Sequence, residues 1–155
     1  MSRYGLKSAV QSAELGARLA AAAPYRADRT LSLALQGELG AGKTTLAQGL
    51  LRHLGVSGAI RSPSYTLIEH YDTVPGLVLH VDLYRLNSTA ELEALGLRDE
   101  WNRAALVILE WPERASGALP PADVRVQLDR QGDSRVALLT ALTEVGTRWL
   151  ALLEM

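Results

Sequence analysis

Apolar and polar positions alternate with different periods along this chain, and each period predicts an element. Residues 30–36 (TLSLALQ) form a short apolar run of strand length. Residues 43–54 then carry Leu46, Ala47, Leu50, Leu51 and Leu54 on one side, the stripe of an amphipathic helix, with Gly55 as its stop. Residues 66–71 and 77–83 read as two strands around a turn at 72–76, expected to pair as an antiparallel hairpin. Residues 105–109 (ALVIL) are apolar throughout and predict a buried strand. Val124, Val126 and Leu128 alternate with Arg125 and Gln127, a half-exposed strand, and after a turn at 131–134 residues 135–141 form a returning strand. Helices are expected at 8–22 (Ser8 and Gln11 at capping-box spacing), at 88–95 (Ser88 and Glu91 at the same spacing, Gly96 as the stop), as one further turn at 97–101, and at 143–153. Residues 58–64 and 112–121 read as loops.

Between the first expected strand and the helix after it lies Gly37-Glu38-Leu39-Gly40-Ala41-Gly42-Lys43-Thr44-Thr45, which fits G-x-x-x-x-G-K-[ST], the phosphate-binding P-loop. The glycines let the backbone turn tightly, so that its N–H groups approach an anion. The following helix adds its N-terminal N–H groups and dipole. The expected nucleotide-binding residues are Glu38, Leu39, Gly40, Ala41, Gly42, Lys43, Thr44 and Thr45, with Lys43 as the charge on the phosphates and the Thr44 hydroxyl as a Mg²⁺ ligand. Strand, glycine loop and helix in this order predict an α/β, P-loop NTPase-like three-layer fold. Its mixed sheet has a parallel core and antiparallel hairpins.

Such a loop needs an acidic partner for metal and water, usually at the end of a neighbouring strand. Asp82 follows the apolar run 77–81 and Glu110 follows 106–109, so both are expected at C-terminal strand edges, where open α/β sheets bind ligands. The residue types leave open which carboxylate holds metal and which orients water. The hydroxyls of Ser62, Ser64 and Thr66 form a candidate switch segment that senses the γ-phosphate. His53, His70 and His80 have no ligand spacing. His80, inside a strand, reads as a satisfied core or interface residue, and Trp111 as packing.

Composition narrows the partners. A chain of 155 residues with 48% hydrophobic and 21% charged residues reads as one globular domain spanning 1–155. A net charge of −1 gives no nucleic-acid footprint, so any link to RNA is expected to be indirect. The absence of cysteine excludes disulfides, thiolate catalysis and cysteine zinc sites. Residues 1–10 contain no signal-like apolar region and no run approaches a membrane span, so a cytoplasmic location without a membrane partner is expected.

The motifs together resemble a known family. L-x-G-x-L-G-A-G-K-T-T at 35–45, R-S-P-S-Y-T-L at 61–67, H-x-D-L-Y-R at 80–85 and I-L-E-W-P at 108–112, with E-L-E-A-L-G at 91–96, are similar in order and spacing to TsaE (YjeE), the bacterial P-loop ATPases of tRNA threonylcarbamoyladenosine synthesis. The resemblance covers roughly residues 8–130 and weakens after that. It implies an ATP/ADP and Mg²⁺ site in which Lys43 holds phosphates, Thr44 and Glu110 ligate Mg²⁺, and Asp82 acts beside metal and water. Residues 62–66 would be the switch loop, with Trp111 near the site. It implies work with TsaD and TsaB, which modify adenosine 37 of ANN-reading tRNAs, with tRNA met only through that complex. One departure is Ser62-Pro63-Ser64, where the family usually shows Ser-Pro-Thr. No arginine finger can be assigned; Arg61 and Arg85 are candidates. A small-molecule kinase shares the P-loop logic, but Arg98, Arg103 and Arg114 are scattered rather than gathered in a lid. A binding-only regulator would differ by never hydrolysing. A GTPase is disfavoured because no N-K-x-D motif is present.

Overall fold

The structure is a computed structural model that describes residues 1–115 and 117–155; Ser116, in the loop expected at 112–121, lies outside the described residues. In chain order the elements are β1 (Ser2–Leu6), α1 (Ala9–Ala22), β2 (Leu31–Gln36), α2 (Lys43–His53), β3 (Ile68–Thr73), β4 (Gly76–Asp82), α3 (Thr89–Leu95), α4 (Leu97–Trp101), β5 (Leu106–Glu110), β6 (Val124–Gln131), β7 (Ser134–Ala141) and α5 (Glu144–Leu153). The strands make one sheet in the order β1-β7-β6-β2-β5-β4-β3. Strands β6, β2, β5 and β4 run parallel, while β3 pairs antiparallel with β4 and β7 antiparallel with β6 and β1. The fold is therefore α/β, with the expected parallel core and antiparallel margins.

Alternation along the central strands sends side chains to two cores. Leu106 and Ile108 of β5 and Val78 of β4 join Leu46 and Leu50 of α2, Leu15 and Leu19 of α1 and Trp149 of α5. Val107, Leu109, Leu79 and Val81 face the other way, against Leu92 of α3 and Leu97 and Trp101 of α4. This period-two division makes the sheet the middle of three layers. Leu46, Leu50 and Leu51 are wholly buried, each contributing about 1.5–3 kcal/mol relative to exposure.

Two glycines set how closely α1 and α2 pack. A Cβ on Gly16 would meet the Leu46 carbonyl oxygen at 2.1 Å, and one on Gly49 would meet that of Ala13 at 2.1 Å. Backbone thus lies against backbone along the helix that begins with Lys43. Trp149 ties α5 to the same layer by donating its indole N–H to Leu19 O at 2.9 Å.

The structure departs from the expected elements in three places. Residues 2–6 show no strand pattern, yet β1 pairs with β7 as an edge strand; its partner lies more than a hundred residues away, beyond the reach of local periodicity. The capping box expected at Ser88 is not made, because Glu91 Oε1 accepts from Asn87 N, one residue before the cap, at 3.1 Å, and Ser88 makes no side-chain cap. The loop after β5 opens with a 3-10 turn, Pro112–Ala115.

At the N-terminal end of β6, Asp123 joins three elements. It accepts from Arg29 Nη2 at 2.7 Å and Nη1 at 3.1 Å, from Ser32 N at 2.9 Å and from Thr143 Oγ1 at 2.7 Å. Thr143 also caps α5 through Gly146 N. Burial alone would raise the Asp123 carboxyl; the bonds from Arg29, Thr143 and Ser32 and the guanidinium charge overcome that and hold it below the usual carboxylate range.

Candidate functional site

The loop between β2 and α2 is shaped by the backbone of β6. Gly37 has φ +151, and a Cβ there would come within 2.5 Å of Leu128 O, so only glycine lets the loop leave the sheet at this point. Ser8 caps α1 and Thr143 caps α5 with side-chain oxygens, whereas Gly42, left-handed at φ +103, caps α2 with none. The N-terminus of α2 is thus a set of N–H groups facing a cleft, suited to an anion.

Lys43 opens that helix. Its buried ammonium donates to Gly37 O at 2.5 Å and Glu38 O at 2.9 Å and lies 4.4 Å from the centroid of the Trp111 ring. Burial pulls its pKa below the ordinary lysine value, with Glu110, Asp82 and Glu113 acting in the opposite direction.

The two acids arrive on adjacent strands. Parallel pairing of β4 with β5 sets Asp82 directly opposite Glu110. Asp82 Oδ2 accepts from Ser62 Oγ at 2.7 Å and Ser64 Oγ at 3.4 Å, and Oδ1 accepts from Tyr84 N at 3.0 Å. Glu110 Oε1 accepts from Thr44 Oγ1 at 3.2 Å, and Oε2 lies 2.6 Å from His80 Nε2. Both carboxylates are almost fully buried.

A cleft of about 330 Å³ runs along these groups, lined by Leu39, Gly40, Gly42, Lys43, Thr44, Thr45, Ser62, Ser64, Asp82, Tyr84, Glu110 and Trp111. A smaller cleft of about 140 Å³ shares Gly40, Gly42 and Thr45 with it and extends past Ser8, Ser12, Asp133 and Arg135. Glu38 and Ala41 lie on a different wall, lining a cavity of about 420 Å³ with Trp111, Glu113 and the end of β6. That cavity is larger, but it has neither the lysine nor the two strand-end acids.

Most of the residues singled out in the sequence meet here, and some do not. Thr66 is exposed and donates to Glu69 at 3.2 Å, away from the cleft that Ser62 and Ser64 line. Arg61 is exposed, and Arg85 stacks 4.4 Å over the Tyr65 ring. Trp111 is more than packing: it lines the cleft, faces Lys43 and meets Tyr84 at 5.0 Å, with Arg114 against both rings. His80 is buried as expected, but as the partner of Glu110; its position two residues before Asp82, on the same face of the strand, was the available signal. Tyr84 was not singled out at all. The described residues hold two non-glycine positive-φ positions, Leu67 (φ 67) and Trp111 (φ 59). Leu67 O accepts from Asp82 N, and Trp111 directly follows Glu110. Such conformations cost about 1–3 kcal/mol each and cluster at functional sites.

The donor set suits a hard divalent cation. A threonine hydroxyl and two carboxylates offer oxygen only, which is what Mg²⁺ takes alongside water and phosphate. Among the described residues, no group of three or more His, Cys, Asp or Glu forms an all-protein metal cage.

Residues 6–137 match the family model described as "Threonylcarbamoyl adenosine biosynthesis protein TsaE". The chain is 42% identical over 119 residues to the tRNA threonylcarbamoyladenosine biosynthesis protein TsaE of Haemophilus influenzae, covering 77% of this chain and 75% of that protein. It is 33% identical over 122 residues to the Bacillus subtilis protein of the same name, covering 79% and 75%. Among solved structures, the crystal structure of Bacillus subtilis YdiB superposes with a TM-score of 0.81 at 26% identity, over 99% of this chain and 93% of that one.

Proposed function

Since this chain belongs to the TsaE family of tRNA threonylcarbamoyladenosine biosynthesis, we propose that it serves that process as a Mg²⁺-dependent ATPase. In this reading it supports a TsaD–TsaB pair in modifying adenosine 37 of ANN-reading tRNAs and meets tRNA only through that complex. The observation that carries the reading is the convergence of Lys43, Thr44, Asp82 and Glu110 on one cleft at the C-terminal edge of parallel strands.

The roles follow from position. Lys43 exchanges the carbonyls of Gly37 and Glu38 for phosphate oxygens, and the uncapped N–H groups of α2 bind the same anion. Thr44 and Glu110 would hold the metal, which would supply positive charge to the phosphates. Asp82 stands beside Glu110 and orients water for in-line attack on the γ-phosphorus. Ser62 and Ser64, now bonded to Asp82, can turn to the phosphate, so the loop that carries them reports the state of the nucleotide. The smaller cleft beside Ser8, Ser12 and Arg135 adjoins the loop at Gly40, Gly42 and Thr45 and is the side on which the nucleoside end would lie.

Among the described residues, no arginine lines the main cleft. A group supplied by a partner would complete the charge stabilisation, and hydrolysis by the isolated chain is then slow. The test is the steady-state ATPase rate, alone and with TsaD and TsaB. A low rate that rises sharply with the pair supports the reading; a rate indifferent to the pair overturns the partner-gated part. Lys43→Ala tests the site itself by calorimetry: nucleotide affinity should collapse, and undiminished affinity would falsify the P-loop assignment.

A further inference from the structure

In β4 the residues Val78, His80 and Asp82 share one face of the sheet, in register with Leu106, Ile108 and Glu110 of β5. Val78, Leu106 and Ile108 pack there into the core under α2. A fully buried histidine in such a row is costly unless it is hydrogen-bonded. The imidazole of His80 has a single partner: Nε2 lies 2.6 Å from Glu110 Oε2, while Nδ1 meets none among the described residues. That arrangement selects a tautomer. With the hydrogen on Nε2, the ring donates to the carboxylate and leaves only a lone pair unmatched at Nδ1. The other tautomer would bury an unpaired N–H and set a lone pair against Oε2.

We propose that His80 is a positioning residue for Glu110, holding Oε2 so that Oε1 is directed to a divalent cation beside Thr44. The inference rests on the reading of the cleft as a Mg²⁺–nucleotide site. Glu110 lies at similar distances from Thr44 through both oxygens, 3.2 Å from Oε1 and 3.5 Å from Oε2. Thr44 therefore does not choose between them, and His80 does. Asp82 has its own donors in Ser62, Ser64 and Tyr84 N, so loss of His80 acts on the metal through Glu110 alone. Partners of this kind, one bond removed from the metal, commonly matter about 10- to 100-fold in metal affinity.

The experiment is calorimetry on the full chain as wild type, His80→Leu, His80→Gln and His80→Asn. ADP is titrated first in chelator, and Mg²⁺ is then titrated into the ADP complex. His80→Leu should leave metal-free ADP affinity unchanged and weaken Mg²⁺ binding about 10- to 100-fold. His80→Gln, whose amide reaches the place of Nε2, should restore most of it. Unchanged Mg²⁺ affinity in His80→Leu, or an equal loss in His80→Gln, overturns the proposal. If the leucine variant does not fold, the amides decide: Gln tighter than Asn supports the proposal, and equality overturns it. A wild-type chain that binds no ADP, or binds it without regard to Mg²⁺, overturns the reading of the cleft in the first titration and the inference with it.

Discussion

Asp123 and Glu110 are both buried acids beside β2, one at each end of the parallel sheet, and the chain treats them in opposite ways. Asp123 receives a two-pronged guanidinium, a backbone N–H and a hydroxyl. Its charge and its lone pairs are met within the protein. Glu110 receives an imidazole and a hydroxyl, and its neighbour Asp82 receives two hydroxyls and a backbone N–H. The nearby cation, Lys43, is hydrogen-bonded to carbonyl oxygens of its own loop. A buried acid completed by a guanidinium of the chain fastens the fold; a buried pair held by an imidazole, hydroxyls and a backbone N–H, with no arginine among the described residues on either acid, is arranged for charge that comes from outside.

The contrast can be broken by substitution. The largest effect is expected for Asp123→Ala, which removes the acid shared by Arg29, Ser32 and Thr143 and should cost about 3 kcal/mol of folding stability in urea titrations. A loss under about 1 kcal/mol would deny Asp123 its structural role. Acid should expose the same acid. Its carboxyl is held below the usual range in the folded protein, so its stabilisation is fully present above the unfolded value of about 3.9 and is lost as pH falls through the folded value. Asp123→Asn should flatten that acid limb in melts recorded from about pH 5 downward. Thr143→Ala takes one donor from Asp123 and the cap from α5, and should cost about 1 kcal/mol. The smallest stability change belongs to Glu110→Gln, which keeps an acceptor for His80 and should stay within about 1 kcal/mol of wild type. If the proposed function holds, Mg²⁺-dependent ATP hydrolysis should nevertheless fall by about 100-fold or more in this variant. Comparable destabilisation by Glu110→Gln and Asp123→Ala would erase the distinction between the two ends.

Legibility in the sequence followed the same division. The placement of the glycine loop, Asp82 and Glu110 on one cleft could be read because the signals are local: a glycine pattern, and an acid after an apolar run that delivers it to a C-terminal strand edge. The parallel core followed from strand and helix periods. Asp123 passed unremarked because its partners are assembled by the fold, Arg29 from before β2 and Thr143 from after β7. β1 was missed for the same reason, since its ladder with β7 joins the two ends of the chain. Ser88 had the right spacing for a cap, but Glu91 turned to Asn87 N instead. His80 was legible as buried; that its one bond is to Glu110 depends on the register between β4 and β5, which residue types do not encode.

The close approach of α1 and α2 at Gly16 and Gly49 bears on how this protein can change over generations. Both positions already hold the smallest residue there is, so every substitution adds volume, and the first atom added would stand 2.1 Å from a carbonyl oxygen. Mutation at these sites runs in one direction only, toward a wider gap between α1 and α2. Because α2 begins with Lys43, widening that gap moves this lysine, and two positions with no chemistry of their own are thereby tied to the sequence of the loop.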